Sequence, residues 1–221
     1  MHILGILRAL VFAALVVTLA ACATAPTPYD YSAFKQSRPK TLLVLPALNH
    51  SPEVNAGISV MSQVSYPLAE AGYYVLPVTL VTETFRQNGL DNAEDIQTVA
   101  PEKLREIFGA DAALYMEIQS YGTSYQVVSS DTVVAVSARL VDLRDGQLLW
   151  QGSAKASSAE RRSGNQGGLA GLLVQAVVAQ ITDTVTDQGN VIAGVASKRL
   201  LAPRSPDGML YGPRSEKYGQ D

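Results

Sequence analysis

Apolar residues recur along this chain with several distinct periods, and each predicts an element. An apolar stretch from Ala9 to Leu19, interrupted only by Thr18, preceded by the weakly basic Met1 to Arg8 and followed by Ala20-Ala21, has the layout of a signal peptide. At about a dozen residues it is too short for a comfortable membrane-spanning helix, which needs roughly 20. Ala23 to about Lys40 shows no apolar period and holds three prolines, which predicts an extended tether. Thr41-Leu42-Leu43-Val44-Leu45-Pro46 is a short continuous apolar run, the pattern of an interior strand covered on both faces. Ser51 can then cap a helix with Pro52 as its first residue. That helix is expected to run to about Glu70, with Ile58, Met61, Val64 and Leu68 on its inner side, a kink at Pro67 and Gly72 at its end.

Tyr73 to Leu80 reads as a second strand, so strand, helix, strand forms a parallel crossover, and Pro77 favours the sheet edge. Thr82 can cap a short helix, and Pro101 can open another that carries Leu104, Ile107 and Phe108 before Gly109. Ala112 to Tyr121 alternates Leu114, Met116 and Ile118 against Tyr115, Glu117 and Gln119, the period of a half-buried strand. Thr132–Leu143 and Gln147–Ser157 are two further strands joined around Arg144-Asp145-Gly146, an antiparallel hairpin. Arg161 to Gly168 is polar and glycine-rich and should be mobile. A helix follows on the pairs Leu172/Leu173, Ala176/Val177, Gln180/Ile181 and Thr184/Val185, an apolar stripe broken only by Gln180 and Thr184, and it can restart after Gly189 through Val191, Val195 and Leu200. Prolines and glycines from Ala202 onward predict an extended or loose tail. The fold class is therefore α/β or α+β: a mixed sheet of about five strands with helices packed on it. The expected organisation is a leader over 1–21, a tether over 22–40, one domain over 41–201 and a tail over 202–221.

Charge narrows the set of partners. The 17 Lys and Arg, less Arg8 of the leader, face 20 Asp and Glu, a net of −4. Nucleic acid is therefore not expected, since neutralising phosphates needs clustered cations and a short pair such as Arg161-Arg162 supplies too few. The single cysteine excludes an internal disulfide and any CxxC metal spacing. Leu19-Ala20-Ala21-Cys22 closely resembles the bacterial lipobox, which implies cleavage before Cys22, a diacylglyceryl group on its thiol and acylation of the freed amine. Ala23 is not the aspartate associated with retention at the inner membrane, so the resemblance implies an outer-membrane address.

Catalytic chemistry finds little to work with. His50 is the one histidine outside the leader, and its neighbour Ser51 is badly placed as a nucleophile because adjacent side chains diverge. Glu94-Asp95 lies in a polar connector, and Asp183/Asp187 read as a solvated helix face. Gly164 to Gly171 lacks both the order of a dinucleotide loop and a following Gly-Lys-Ser/Thr. We expect no enzyme activity, no cofactor and no metal.

Leu45-Pro46-Ala47-Leu48-Asn49-His50-Ser51-Pro52-Glu53-Val54-Asn55-Ala56 resembles the signature stretch of a family of bacterial outer-membrane lipoproteins known as genome-derived antigens, and Gly208 to Pro213 with Tyr218 resembles that family's ending. The resemblance covers essentially the whole mature chain. In architecture the family is similar to the amino-terminal domain of TolB and the periplasmic domain of CsgG, and Val141 to Trp150 looks like the hairpin of that group. It implies a non-catalytic lipoprotein subunit of an outer-membrane assembly, with a CsgG-like secretion component as one partner and homo-oligomers left open. Asn49, Ser51, Pro52, Glu53 and Asn55 form the candidate contact surface, although these residues could equally serve only to start the helix. The alternative is a regulator of peptidoglycan synthesis or another cell-wall enzyme, acting through the Gly-rich loop.

Overall fold

The computed structural model describes residues 29–125, 130–163, 188–203 and 207–220. Within them one mixed sheet carries helices on both faces. The elements are α1 Ser32–Ser37, β1 Thr41–Val44, β2 Leu48–Asn49, α2 Ala56–Glu70, β3 Tyr74–Val75, α3 Val78–Gln87, α4 Ala93–Gln97 and α5 Pro101–Phe108, then β4 Ala112–Tyr125, β5 Ser130–Asp142, β6 Leu148–Ser157, α6 Ser158–Ser163 and α7 Gln188–Leu201. Strand order is β3-β1-β4-β5-β6, with the two-residue β2 pairing separately with β4. The sheet thus has six strands where five were expected.

β1 is parallel to both neighbours, in register Thr41↔Tyr74 with β3 and Leu43↔Ala113 with β4. Its unbroken apolar run is explained by two cores, one on each face of the sheet. On one face Leu42, Val44, Leu114, Met116, Val136 and Trp150 meet Val60, Val64 and Leu68 of α2 and Ile192, Ala196 and Leu200 of α7. On the other, Leu43, Leu45, Ala113, Tyr115 and Val141 meet Val81 and Phe85 of α3, Ile96 of α4 and Leu104 of α5. The parallel crossover through α2 is as expected. So are the start of α5 at Pro101, with Gly109 ending it, and the antiparallel β5–β6 hairpin turned at Gly146, whose φ of 73° suits a residue without Cβ.

Several expectations are corrected. α2 begins at Ala56, not at Ser51-Pro52, because the Asn49 side chain engages Ser51 first. Starting there shifts the buried set to Ala56, Val60, Val64, Pro67 and Leu68 and turns Ile58 out to solvent. The strand expected over Tyr73–Leu80 shrinks to Tyr74–Val75, since Pro77 opens α3 and the amphipathic pair Val81 and Phe85 goes into the core. Thr82 caps nothing. It lies inside α3 and its hydroxyl donates back to the Val78 carbonyl at 2.9 Å. Arg161 and Arg162 belong to α6 and not to a mobile stretch, because Asp131 accepts from the Ala159 amide and from the Ser157 and Ser158 hydroxyls at the helix start. α7, described over Gln188–Leu201, buries Ile192, Ala193 and Ala196, with Val191 and Val195 only half-buried. The expected helix over Leu172–Val185 and the remainder of the Gly-rich stretch lie outside the described residues, as do the leader and Cys22.

The tether and the tail also need correcting. From Tyr29 onward the segment expected to hang free is packed: Phe34 of α1 is buried, and Tyr29, Tyr31 and Ala33 lean on the same core. The Tyr31 hydroxyl donates to the Gly208 carbonyl at 2.5 Å, and the Tyr29 hydroxyl accepts from the Gln151 amide at 2.9 Å. In the tail Met209 and Leu210 are buried, and Gly212 crosses Gly72 so closely that a Cβ on Gly212 would stand 2.6 Å from the Gly72 carbonyl oxygen. Two amide bonds fix the crossing, Gly212 to Ala71 at 2.7 Å and Arg214 to Gly72 at 3.0 Å.

α1 is also tied to the hairpin by a polar cluster. Asp142 is buried and accepts from Ser37 Oγ at 2.6 Å, from the Arg144 amide at 2.8 Å and from the Arg144 guanidinium. Burial alone would raise its pKa, but the bonds from Arg144 and Ser37 outweigh that and bring it down to about 2.

Candidate functional site

In open sheets of this kind the crevice beyond the carboxyl ends of neighbouring parallel strands, where the connections leave on opposite faces, is the usual place for a binding surface. Here β1 leads into α2 on one face, while its parallel neighbour β3 leads into α3 on the other. The loop that follows β1 therefore sits at that crevice. β2 carries it alongside β4 in register Leu48↔Glu117 and Asn49↔Ile118, and the His50 amide donates to the Ile118 carbonyl at 3.0 Å. Gln97 closes the inner end, its side-chain amide donating to the carbonyls of Pro46 at 2.8 Å and Met116 at 3.1 Å.

Asn49 is the hub of the loop. Its Oδ1 accepts from the Ser51 amide at 3.0 Å and the Ser51 hydroxyl at 2.7 Å, while its Nδ2 donates to the Glu53 carbonyl at 2.8 Å. The Ala56 amide then donates to the same Glu53 carbonyl at 3.2 Å. One short side chain thus replaces the backbone pairing that this turn lacks. What it holds up to solvent is Pro52, Glu53, Val54 and Asn55, followed by the first turn of α2. Val54, in the turn, is 88 % exposed, and Ile58, in the first turn of α2, is 76 % exposed.

The structure brings all five sequence-derived contact residues into this one loop, with different tasks. Asn49 and Ser51 are half-buried and internal to the turn; Pro52, Glu53 and Asn55 are at its surface. Asn55 precedes α2 without a side-chain cap. Sequence reasoning missed Val54 and Ile58 as surface residues because it began the helix at Pro52 and so phased Ile58 inward. The Asn49-x-Ser51 spacing, which favours a side-chain turn, was the available signal.

Catalytic geometry does not assemble around His50. Its Nε2 lies 3.9 Å from Glu117 Oε2, with both side chains open to solvent, and the Ser51 hydroxyl is engaged by Asn49. Of the carboxylate pairs, Asp95 is a capping partner of Asn92 at the start of α4, and Asp183 and Asp187 lie outside the described residues. Among the described residues no group of three or more His, Cys, Asp and Glu stands together as metal ligands would.

Comparison with known proteins gives this loop a family context. The family model of the GNA1162-like lipoproteins matches residues 29–214. A Neisseria meningitidis serogroup B protein named as a lipoprotein is 50 % identical over 202 residues, 91 % of this chain and 93 % of that one. The crystal structure of lipoprotein GNA1162 from Neisseria meningitidis is 49 % identical with a TM-score of 0.53, spanning 66 % of this chain and 100 % of that one. The LpoB C-terminal domain from Salmonella enterica is similar at 18 % identity and a TM-score of 0.40, over 57 % of this chain and 98 % of that domain.

Proposed function

This chain belongs to the GNA1162-like lipoprotein family, and on that premise we propose that it is a lipid-anchored, non-catalytic assembly subunit of an outer-membrane complex. Cys22 carries the acyl chains, and the domain stands in the periplasm. The observation that carries the assembly role is the loop at the crevice: a turn stiffened by Asn49 that exposes Val54 and Ile58. Exposed aliphatic residues on a pre-ordered turn lose little entropy when a partner covers them. No helix among the described residues is long and apolar enough to cross a membrane, which suits attachment through Cys22. The Ser51 hydroxyl is held by Asn49 and is not paired with His50, which supports a binding role over a chemical one.

The contact surface comprises Asn49, Ser51, Pro52, Glu53 and Asn55, extended by Val54 and Ile58. A CsgG-like secretion lipoprotein is the partner class to test first. The experiment is crosslinking and affinity capture of the full-length protein from envelope fractions, comparing wild type with Val54→Asp/Ile58→Asp. Wild type recovers an outer-membrane secretion component, and the double variant loses it while melting at the same temperature. Recovery of a peptidoglycan synthase with no secretion component would replace this reading by that of a cell-wall enzyme regulator. The anchor is tested separately: Cys22→Ala abolishes labelled palmitate incorporation and sedimentation with membranes.

A further inference from the structure

A pocket of about 430 Å³ opens where α1 meets the carboxyl-terminal tail. Its walls are aromatic and aliphatic: Phe34 and Pro39 come from α1 and the turn after it, Tyr73 from the residue before β3, and Leu210, Tyr211 and Tyr218 from the tail. Phe34, Tyr73 and Leu210 are buried, whereas Tyr218 is exposed. The Tyr73 hydroxyl donates to the Leu210 carbonyl at 2.7 Å, which fixes the inner wall. Two cations, Lys35 and Arg38, complete the lining, and no carboxylate of the described residues joins them. Lys217 adds a third positive charge beside the pocket, its Nζ 5.7 Å from the centre of the Tyr211 ring.

The fold makes little use of either lining cation. Lys35 and Arg38 are exposed and form no ion pair among the described residues. Arg38 Nε donates to the Lys35 carbonyl at 3.2 Å, which leaves the terminal nitrogens of its guanidinium for another acceptor. Arg38 also ends α1 in the left-handed conformation, with φ 49°, where glycine would sit without strain. The side chain supplied at that strained position is a guanidinium on the pocket. Cations set against apolar walls suit an amphiphilic anion: free phosphate would leave the walls uncovered, and an uncharged apolar molecule would leave the cations unmatched. Tyrosine together with Lys and Arg is, moreover, the composition that settles at the headgroup layer of a bilayer. The reach of the chain points the same way. From Cys22 to Tyr29 it spans at most about 25 Å, and α1, whose last turn carries Lys35, begins three residues after Tyr29. An anchor at Cys22 therefore keeps this pocket close to the lipid surface.

We propose that this pocket seats one anionic phospholipid of the anchoring membrane, its phosphate between Lys35 and Arg38 and the first methylenes of an acyl chain against Tyr73, Leu210 and Tyr218. The proposal rests on the lipid-anchored reading and gives the domain an orientation. Pro39 and Tyr73 stand just ahead of the paired starts of β1 and β3, so the pocket lies at the amino ends of the parallel strands. The Asn49–Asn55 loop follows β1 and runs on beside β4 as far as Ile118, at the opposite ends. With the pocket on the bilayer, that loop points away from the membrane, where a partner can reach it.

The test is native mass spectrometry of the full-length protein in detergent, with phosphatidylglycerol or phosphatidylcholine of identical acyl chains. Wild type should retain phosphatidylglycerol at least about tenfold more strongly, the order expected for two cations near an anionic headgroup. Lys35→Gln/Arg38→Gln should abolish that preference, while Lys155→Gln, made on β6, should leave it intact. Tyr218→Ala should weaken retention of both lipids. Arg38→Gly, which relieves the left-handed turn, should reduce the preference with no fall in melting temperature, and melting curves confirm that the other variants are folded. Equal retention of the two lipids by wild type overturns the proposal, as does a preference undiminished in the double variant. So does retention that rises in Asp221→Asn, since that carboxylate would then be the occupant. The same spectra report the mass added at Cys22 and so separate the two ideas. If acyl groups are present without a lipid preference the pocket loses its role and the anchored reading stands, whereas if Cys22 is unmodified the anchored reading fails and the lipid comparison alone judges the pocket.

Discussion

Replacing Asp142 with asparagine keeps the volume of a buried side chain and removes its charge. In the folded protein this carboxylate titrates at about 2 against an ordinary value of 3.8. A group whose pKa is depressed by folding stabilises the native state above its ordinary pKa and loses that contribution as the pH falls toward the depressed value. The difference is worth about 2 kcal/mol at neutral pH. Arg144 stays behind in the variant, but its side chain is 46 % exposed and can be solvated. The loss should therefore stay below the ~3–5 kcal/mol of breaking a pair buried on both sides. We expect Asp142→Asn to cost about 2 kcal/mol at pH 7 and the deficit to shrink steadily between about pH 4 and pH 2. Urea unfolding reports it conveniently, because Trp150 is the single tryptophan and is buried. Glu83 serves as the control. Its pKa is also about 2, set by Arg86 and Gln87, but it lies on the surface of α3, so Glu83→Gln should leave the unfolding midpoint where it is. A deficit under about 0.5 kcal/mol at pH 7, or one of equal size at pH 7 and pH 2.5, would refute the reasoning.

Two further substitutions test local geometry. Gly212→Ala places a methyl 2.6 Å from a backbone oxygen that cannot yield, so the tail should leave the Ala71–Gly72 turn; we expect a loss of about 1–3 kcal/mol and limited proteolysis confined to residues after Pro203. Asn49→Ala removes three hydrogen bonds from the crevice loop at once, and amide exchange over residues 50–56 should accelerate at least tenfold while the β4–β5 ladder stays protected.

Much of the framework was legible because its causes are local. The apolar run Leu42 to Val44 of β1, the Pro101 and Gly109 limits of α5 and the hairpin around Gly146 each follow from residues within one turn or strand. Val78 to Leu80 misled for the opposite reason. A β-branched run supports either state, and the choice of helix rests on Val81 and Phe85 finding a second core that the sequence does not display. The packing of Tyr29, Tyr31 and Phe34, like the crossing of Gly72 by Gly212, joins residues more than a hundred positions apart and leaves no periodic trace. Candidate site residues fared similarly. The Asn49–Asn55 segment stood out as a polar loop, whereas the pocket shared by Lys35, Arg38 and Tyr218 depends on where the tail packs.

The start of the described chain and the beginning of the tail, at residues 207–208, fasten at one corner of the sheet. Tyr29 holds the Gln151 amide, Trp150 donates to the Asp207 carbonyl, and Tyr31 clasps Gly208. A pull on the chain ahead of Tyr29 is therefore delivered sideways onto the outermost strand, β6, at the point where the residues around Gly208 are fastened. Under load the first parts to peel are this clasp and α1, while β1 and β4 in the middle of the sheet feel the strain last.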